Sequence, residues 1–166
     1  MNTKNSITAI IEINKDKIFY EIAKRTSYIG AKSKDDKDYD RIFVTDENIE
    51  FFETTFKLAH SECKEFLFAF TKEEVIPDGN KDKPQQLFPN YNITLSLPKH
   101  FSHTTITLLT NLINEYITCR LLSEWIMITQ PESHVYWIER CSQIKKQISI
   151  AMTTRTEPLR RTLRPF

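Results

Sequence analysis

Between residues 49 and 70 the apolar side chains Ile49, Phe52, Phe56, Ala59, Cys63, Phe66 and Phe70 recur at steps of three and four. That spacing is the seam of a helix lying along other helices. Thr45 stands where it can cap the helix, and Asp46 and Glu47 oppose the positive end of its dipole. The pattern predicts a helix from about residue 45 to about residue 71. Phe51 and Leu58 lie off the seam, so this helix carries more apolar surface than one partner helix covers.

Other segments show their own periods. Residues 7–13, Ile-Thr-Ala-Ile-Ile-Glu-Ile, are β-branched and half alternating, as a short strand requires. Residues 15–29 predict a helix with Ile18, Ile22 and Ile29 on one side and Phe19 and Ala23 beside them. The charged run 32–40 reads as a solvated loop. In residues 72–90, Pro77, Gly79, Pro84 and Pro89 interrupt any period and predict a long exposed loop. Residues 91–97, Tyr-Asn-Ile-Thr-Leu-Ser-Leu, alternate apolar and polar, and Pro98 ends that strand. The two strands either pair with each other or add to the sheet edge of a neighbouring chain.

Ser102 or Thr104 can cap a third helix running to about residue 128. Its stripe is Ile106, Leu109, Ile113, Tyr116 or Ile117, Leu121, Trp125 and Ile128. Pro131 suits a first helical turn, and Trp137, Cys141, Ile144, Ile148 and Ala151 mark a fourth helix over 131–152. The short link at Gln130 makes these two an antiparallel hairpin. The expected fold is mainly α: a bundle of about four helices, a small two-stranded β element and an extended C-terminal arm. Residues 1–152 form one helical domain with 72–98 as a loop and strand insertion, and 153–166 form the arm.

Composition narrows the chemistry. A chain of 166 residues with 40% hydrophobic and 27% charged residues suits one soluble domain. Two glycines, Gly30 and Gly79, are too few for phosphate-cradling loops or a dinucleotide fingerprint. The three cysteines, Cys63, Cys119 and Cys141, sit in apolar helical stripes and read as reduced core residues. The first residues lack the charged and apolar regions of a signal peptide. No run approaches the roughly 20 apolar residues of a membrane span.

Candidate reactive groups are sparse. His100 and His103 could share a helical face, but zinc needs further ligands. His60 and Cys63 have the same spacing, with Cys63 inside the seam. Glu47, Glu50, Glu62 and Glu65 form two Glu-x-x-Glu pairs, the pattern that holds magnesium in all-α nucleotide pyrophosphohydrolases. Those enzymes bring the pairs together from two helices. Here one helix carries both, about 22 Å apart, and a solvated acidic face accounts for them better. No nucleophile elbow appears. Trp125, Trp137, Tyr116 and Tyr136 read as core or subunit contacts. No catalytic residue, cofactor or metal is expected, and no small-molecule substrate.

Charge singles out the arm. Residues 153–166 hold Arg155, Arg160, Arg161 and Arg164 against Glu157, a net +3, while the remainder carries 19 basic and 21 acidic side chains. Leu159, Leu163 and Phe166 alternate with those arginines. A plain disordered, solubilising tail would normally avoid such residues, so docking on protein is the reading favoured over nucleic-acid contact and over plain disorder. Its arginines would contact carboxylates in bidentate fashion, or phosphates in the alternative reading of a small helical regulator that binds nucleic acid. The partner-binding residues are Arg155, Leu159, Arg160, Arg161, Leu163, Arg164 and Phe166.

The order Leu97-Pro98, the amphipathic stretch HTTITLLTNLINEYITCRLLSEWI, a short break and a final helix resembles the head–tail connector (adaptor) proteins of tailed bacteriophages and prophages. The resemblance covers about residues 45–152. In that family a helix like 45–71 precedes a loop with a strand or hairpin, and a Leu-Pro step introduces a long helix. The resemblance implies a structural subunit of a dodecameric ring beneath the portal, with itself and neighbouring portal or tail proteins as partners. It also implies a place in the virion after assembly in the host cytoplasm. The strand–helix unit at residues 1–30 and the longer final helix depart from the family pattern.

Overall fold

The computed structural model describes residues 6–32, 40–71, 91–99 and 101–153. In chain order it runs β1 (Ser6–Ile11), α1 (Lys15–Lys32), α2 (Ile49–Phe66), β2 (Ile93–Pro98), α3 (His103–Thr129) and α4 (His134–Thr153). The molecule is mainly helical, with one small two-stranded antiparallel sheet. The expected loop over 72–90 lies outside the described residues.

The two strands pair with each other, from Ser6 opposite Pro98 to Ile11 opposite Ile93. Ile7, Ala9 and Ile11 thereby stand across from Leu97, Leu95 and Ile93, and apart from the half-covered Ile7 all are buried. The period of two puts Thr8 and Ile10 on the other face, where Ile10 is 57% exposed. Ile13 N–H donates to the Asn92 side chain at 3.1 Å, tying the exit of β1 to the entry of β2.

Asn14 opens α1 by accepting from Lys17 N–H at 2.9 Å, a side-chain cap. Ile18 and Ile22 face inward as expected, but the stripe continues through Thr26 and Gly30, and Ile29 is only half covered. Thr26 is fully buried because its hydroxyl serves two elements. It donates to the Ile22 and Ala23 carbonyls and accepts from Val44 N–H.

The start of α2 differs from expectation. A 3-10 turn, Asp46–Asn48, precedes it, and the helix proper begins at Ile49 with Asn48 at its cap position. Thr45 donates both its N–H and its hydroxyl to Asn48 Oδ1, each at 3.0 Å, so the polar contact runs opposite to a threonine cap. The end also comes earlier than residue 71. After Phe66 the chain tightens into a second 3-10 turn, Phe68–Phe70, a usual way to satisfy terminal carbonyls. Phe52, Phe56, Ala59 and Cys63 of the predicted seam are buried, while Ile49 is 39% exposed. Thr55 and Leu67 join the buried face instead, since a straight helix with 3.6 residues per turn drifts off a heptad line.

Helix α3 is the centre of the molecule. It packs against α1, α2, α4 and β1, and four successive residues, Tyr116 to Cys119, are all buried. At 100° per residue these cover most of the helix circumference, as in a helix wrapped by neighbours. The single predicted stripe therefore described one of several covered faces. Its last member, Ile128, is 60% exposed. Ser102 is the cap, accepting from Thr104 N–H. A 3-10 turn, Pro131–Ser133, then reverses the chain into α4, whose buried face is Cys141, Ile144, Ile148, Ala151 and Met152. The antiparallel hairpin is thus present.

Candidate functional site

The expected arm residues Arg155, Leu159, Arg160, Arg161, Leu163, Arg164 and Phe166 lie outside the described residues, as does His100. The remaining candidates can be placed. His60 Nε2 is 2.8 Å from the Tyr91 carbonyl oxygen, while Cys63 beside it is fully buried. His103 is exposed at the start of α3. Among the described residues no three His, Cys, Asp or Glu side chains gather to hold a metal ion.

The four glutamates divide. Glu47 and Glu50 are exposed in the first turns, as is Glu65 further along α2, but Glu62 is half-buried. Tyr116 donates its hydroxyl to Glu62 at 2.7 Å, and Arg120 approaches Glu62 at 3.6 Å while pairing with Glu124. The solvated-face reading holds for three of the four. Glu62 instead belongs to a charged seam between α2 and α3.

That seam floors a groove of about 460 Å³. Glu62, Glu65 and Phe66 form one wall, Ile138, Ser142 and Lys145 of α4 the other, with Tyr116, Arg120 and Ser123 below. The Lys145 ammonium sits 4.3 Å from the centre of the Phe66 ring, a cation–π contact across the groove. Glu62, Arg120 and Lys145 each meet an opposite charge, a hydroxyl or a ring, and so tie α2, α3 and α4 together. Cys141 lines the groove as well, yet burial pushes its thiol up to about 11. Burial also pushes Cys119 up to about 12, and Cys63 higher still. At neutral pH all three remain thiols and poor nucleophiles.

A second polar cleft separates α1 from α3. Arg25 donates to both carboxylate oxygens of Glu115, at 3.0 and 2.6 Å. Burial by itself would raise the Glu115 pKa, but the Arg25 hydrogen bonds and charge outweigh it and hold the carboxyl below its ordinary value. Lys15 likewise reaches Glu53 at 2.5 Å, and that hydrogen bond lowers the Glu53 pKa. These are forks between helices, already occupied by their own partners.

Large apolar side chains are exposed as well. At the α3–α4 turn, Met127 is 46% exposed, Ile128 60%, Val135 61%, Tyr136 63% and Ile138 48%. All five fall within the last turn of α3 and the first turns of α4, at one end of the bundle. The exposure of Tyr136 excludes the core, one of the two readings its sequence position allows. Met127, Val135 and Ile138 belong to no stripe that the spacing predicts. A signal was present, since the run Val135-Tyr136-Trp137-Ile138 is apolar at four successive positions and one helical face buries only part of such a run.

No family model, curated protein sequence or solved structure matches the chain.

Proposed function

We propose that this protein is a structural subunit that acts by associating with other protein surfaces, the α3–α4 turn being its main contact face. The observation that carries the reading is that five large apolar side chains remain exposed at that end of the bundle. Covering apolar surface against a partner yields about 25 cal/mol per Å². The resemblance to head–tail connector proteins supplies the setting: a ring of copies beneath a phage portal, with the basic arm as a second contact.

The test is sedimentation of the full chain over a range of concentrations, at low and high salt. The wild-type mass should rise with concentration and survive high salt, because apolar contacts are not screened as charges are. The double variant Ile128→Glu, Val135→Glu should remain monomeric while melting at the wild-type temperature. A wild-type chain that stays monomeric throughout overturns self-association. Association with nucleic acid that collapses as salt rises would favour the regulator instead.

A further inference from the structure

Resting on the reading of the chain as an assembling subunit, we infer that the free edge of β1 pairs antiparallel with the same edge of a second copy. The two ribbons then form one four-stranded sheet, with a two-fold axis passing between the two Ala9 residues. Three observations fix which backbone groups that edge offers. Ile13 N–H donates to the Asn92 side chain, so the odd-numbered residues of β1 turn their backbone groups towards β2. Pro98 has no N–H, and the pair it makes with Ser6 falls among those that exchange no hydrogen bonds. The Glu12 carbonyl points the other way and accepts from the Asn114 side chain of α3 at 3.2 Å. Ile7, Ala9 and Ile11 thus bond with β2, while Thr8 and Ile10 aim N–H and C=O away from it. Among the described residues no group outside the ribbon hydrogen-bonds with either.

Composition leaves this edge bare. Proteins blunt an exposed strand with charge, proline, a bulge or a covering segment. The β1 sequence, Ser-Ile-Thr-Ala-Ile-Ile, has no charge and no proline, and its register with β2 runs without a bulge. Thr8 is exposed, and Ile10 is 57% exposed. On β2 the matching Thr94 and Ser96 are half-covered and Pro98 ends the strand, so the chain protects that edge and leaves the other open.

The pattern of β1 selects its own copy. With no charge to answer one on a partner, β1 fits another uncharged, β-branched strand, and it is itself such a strand. Set antiparallel about Ala9, Thr8 stands opposite Ile10 of the second copy and Ile10 opposite its Thr8. Each pair exchanges two hydrogen bonds, so the outward groups of both residues are met. Ala9 meets Ala9 at the closer spacing of a pair without hydrogen bonds, about 4.5 Å between Cα atoms, which a methyl side chain allows. On the inner side the half-covered Ile7 gains Ile11 of the second copy as its neighbour. The contact is isologous and small beside the about 1,000 Å² of a lasting interface. Pairs too weak singly act together once the α3–α4 turn has gathered several copies. Asn114 meets the ribbon about 22 Å along α3 from Thr129, so one copy can use both contacts.

Disulfide trapping in the full chain tests the register. Thr8→Cys and Ile10→Cys lie at exposed positions, so each variant should melt as the wild type does, and the three native cysteines are buried. Mixed under mild oxidation, the two variants should dimerise through tryptic peptide 5–15 about tenfold faster than either alone. Thr8 and Ile10 of the second copy stand about 5.5 Å apart, whereas like residues lie beyond the about 7 Å that a disulfide spans. Amide exchange tests the edge. Thr8 and Ile10 should exchange slowly in the assembled wild type and freely in the monomeric Ile128→Glu, Val135→Glu variant, where Ala9 and Ile11 stay protected. Protection of Thr8 and Ile10 in that monomer means that another segment of the same chain covers the edge, and overturns the inference. Free exchange in the assembled wild type, or equal trapping of like and unlike pairs, overturns it as well and leaves the proposed function standing. A chain that neither assembles nor traps takes the proposed function with it.

Discussion

Arg25 and Glu115 show how a single pair can set the acid response of the molecule. The Glu115 carboxyl titrates below its ordinary value of 4.5 in the folded chain, so its contribution is complete above that value and fades as pH falls through the folded pKa. Arg25→Met should cost about 1–3 kcal/mol at pH 7, mostly from leaving Glu115 half-buried without its partner. Urea unfolding should show the gap between variant and wild type narrowing towards pH 3. The cysteines offer a second check. With a pKa of about 11 for Cys141, about a thousandth of that thiol is ionised at pH 8. Alkylation followed by mass spectrometry should find the native chain nearly inert, with all three cysteines labelled once urea unfolds it. At this scale the reading of the cysteines as core residues was sound, because a cysteine inside an apolar stripe has nowhere else to point. Thr26 could not be read the same way. Its burial depends on a backbone N–H eighteen residues ahead, that of Val44, which no local pattern announces.

The elements follow from period and punctuation where both are strong. The period of two in β2 placed Leu95 in the core, and Leu95→Ala should cost about 2–5 kcal/mol. Ile10→Thr, on the outer face of the ribbon, should change stability by no more than about 0.5 kcal/mol. Equilibrium denaturation with an unchanged m-value would check both. A cap at Ser102 or Thr104, the hairpin at Pro131 and the inner face of α4 were legible, since each rests on neighbouring residues, and the structure chose Ser102. The boundaries of α2 were not. Asn48 competes with Thr45 for the polar contacts at its start, and the aromatic run Phe66, Phe68 and Phe70 ends in a 3-10 turn that a heptad pattern cannot foresee.

For the whole molecule, the placement of α3 at the centre decides what remains outside. Once four elements pack around it, large apolar side chains are left exposed in several places, five of them at the α3–α4 turn. In the proposed function the α3–α4 turn and the arm both meet other proteins, and the two contacts should answer to salt differently. Contact through Ile128 and Val135 should persist at high salt, whereas any share carried by the arm arginines should weaken. Sedimentation of the wild type and of the Arg160→Glu, Arg161→Glu variant at two salt concentrations would separate the two contributions.

From its residues alone this chain determined the kinds of its elements, their order and the inner faces of its short-period segments, because those depend on spacing along the backbone. Folding in three dimensions decided which helix became the centre, that the two strands met each other, that Glu62 became a structural partner of Tyr116 and Arg120, and which apolar side chains were left uncovered. Those outcomes depend on what stands opposite each side chain, and a residue's opposite number is chosen by packing across distances that no local pattern encodes.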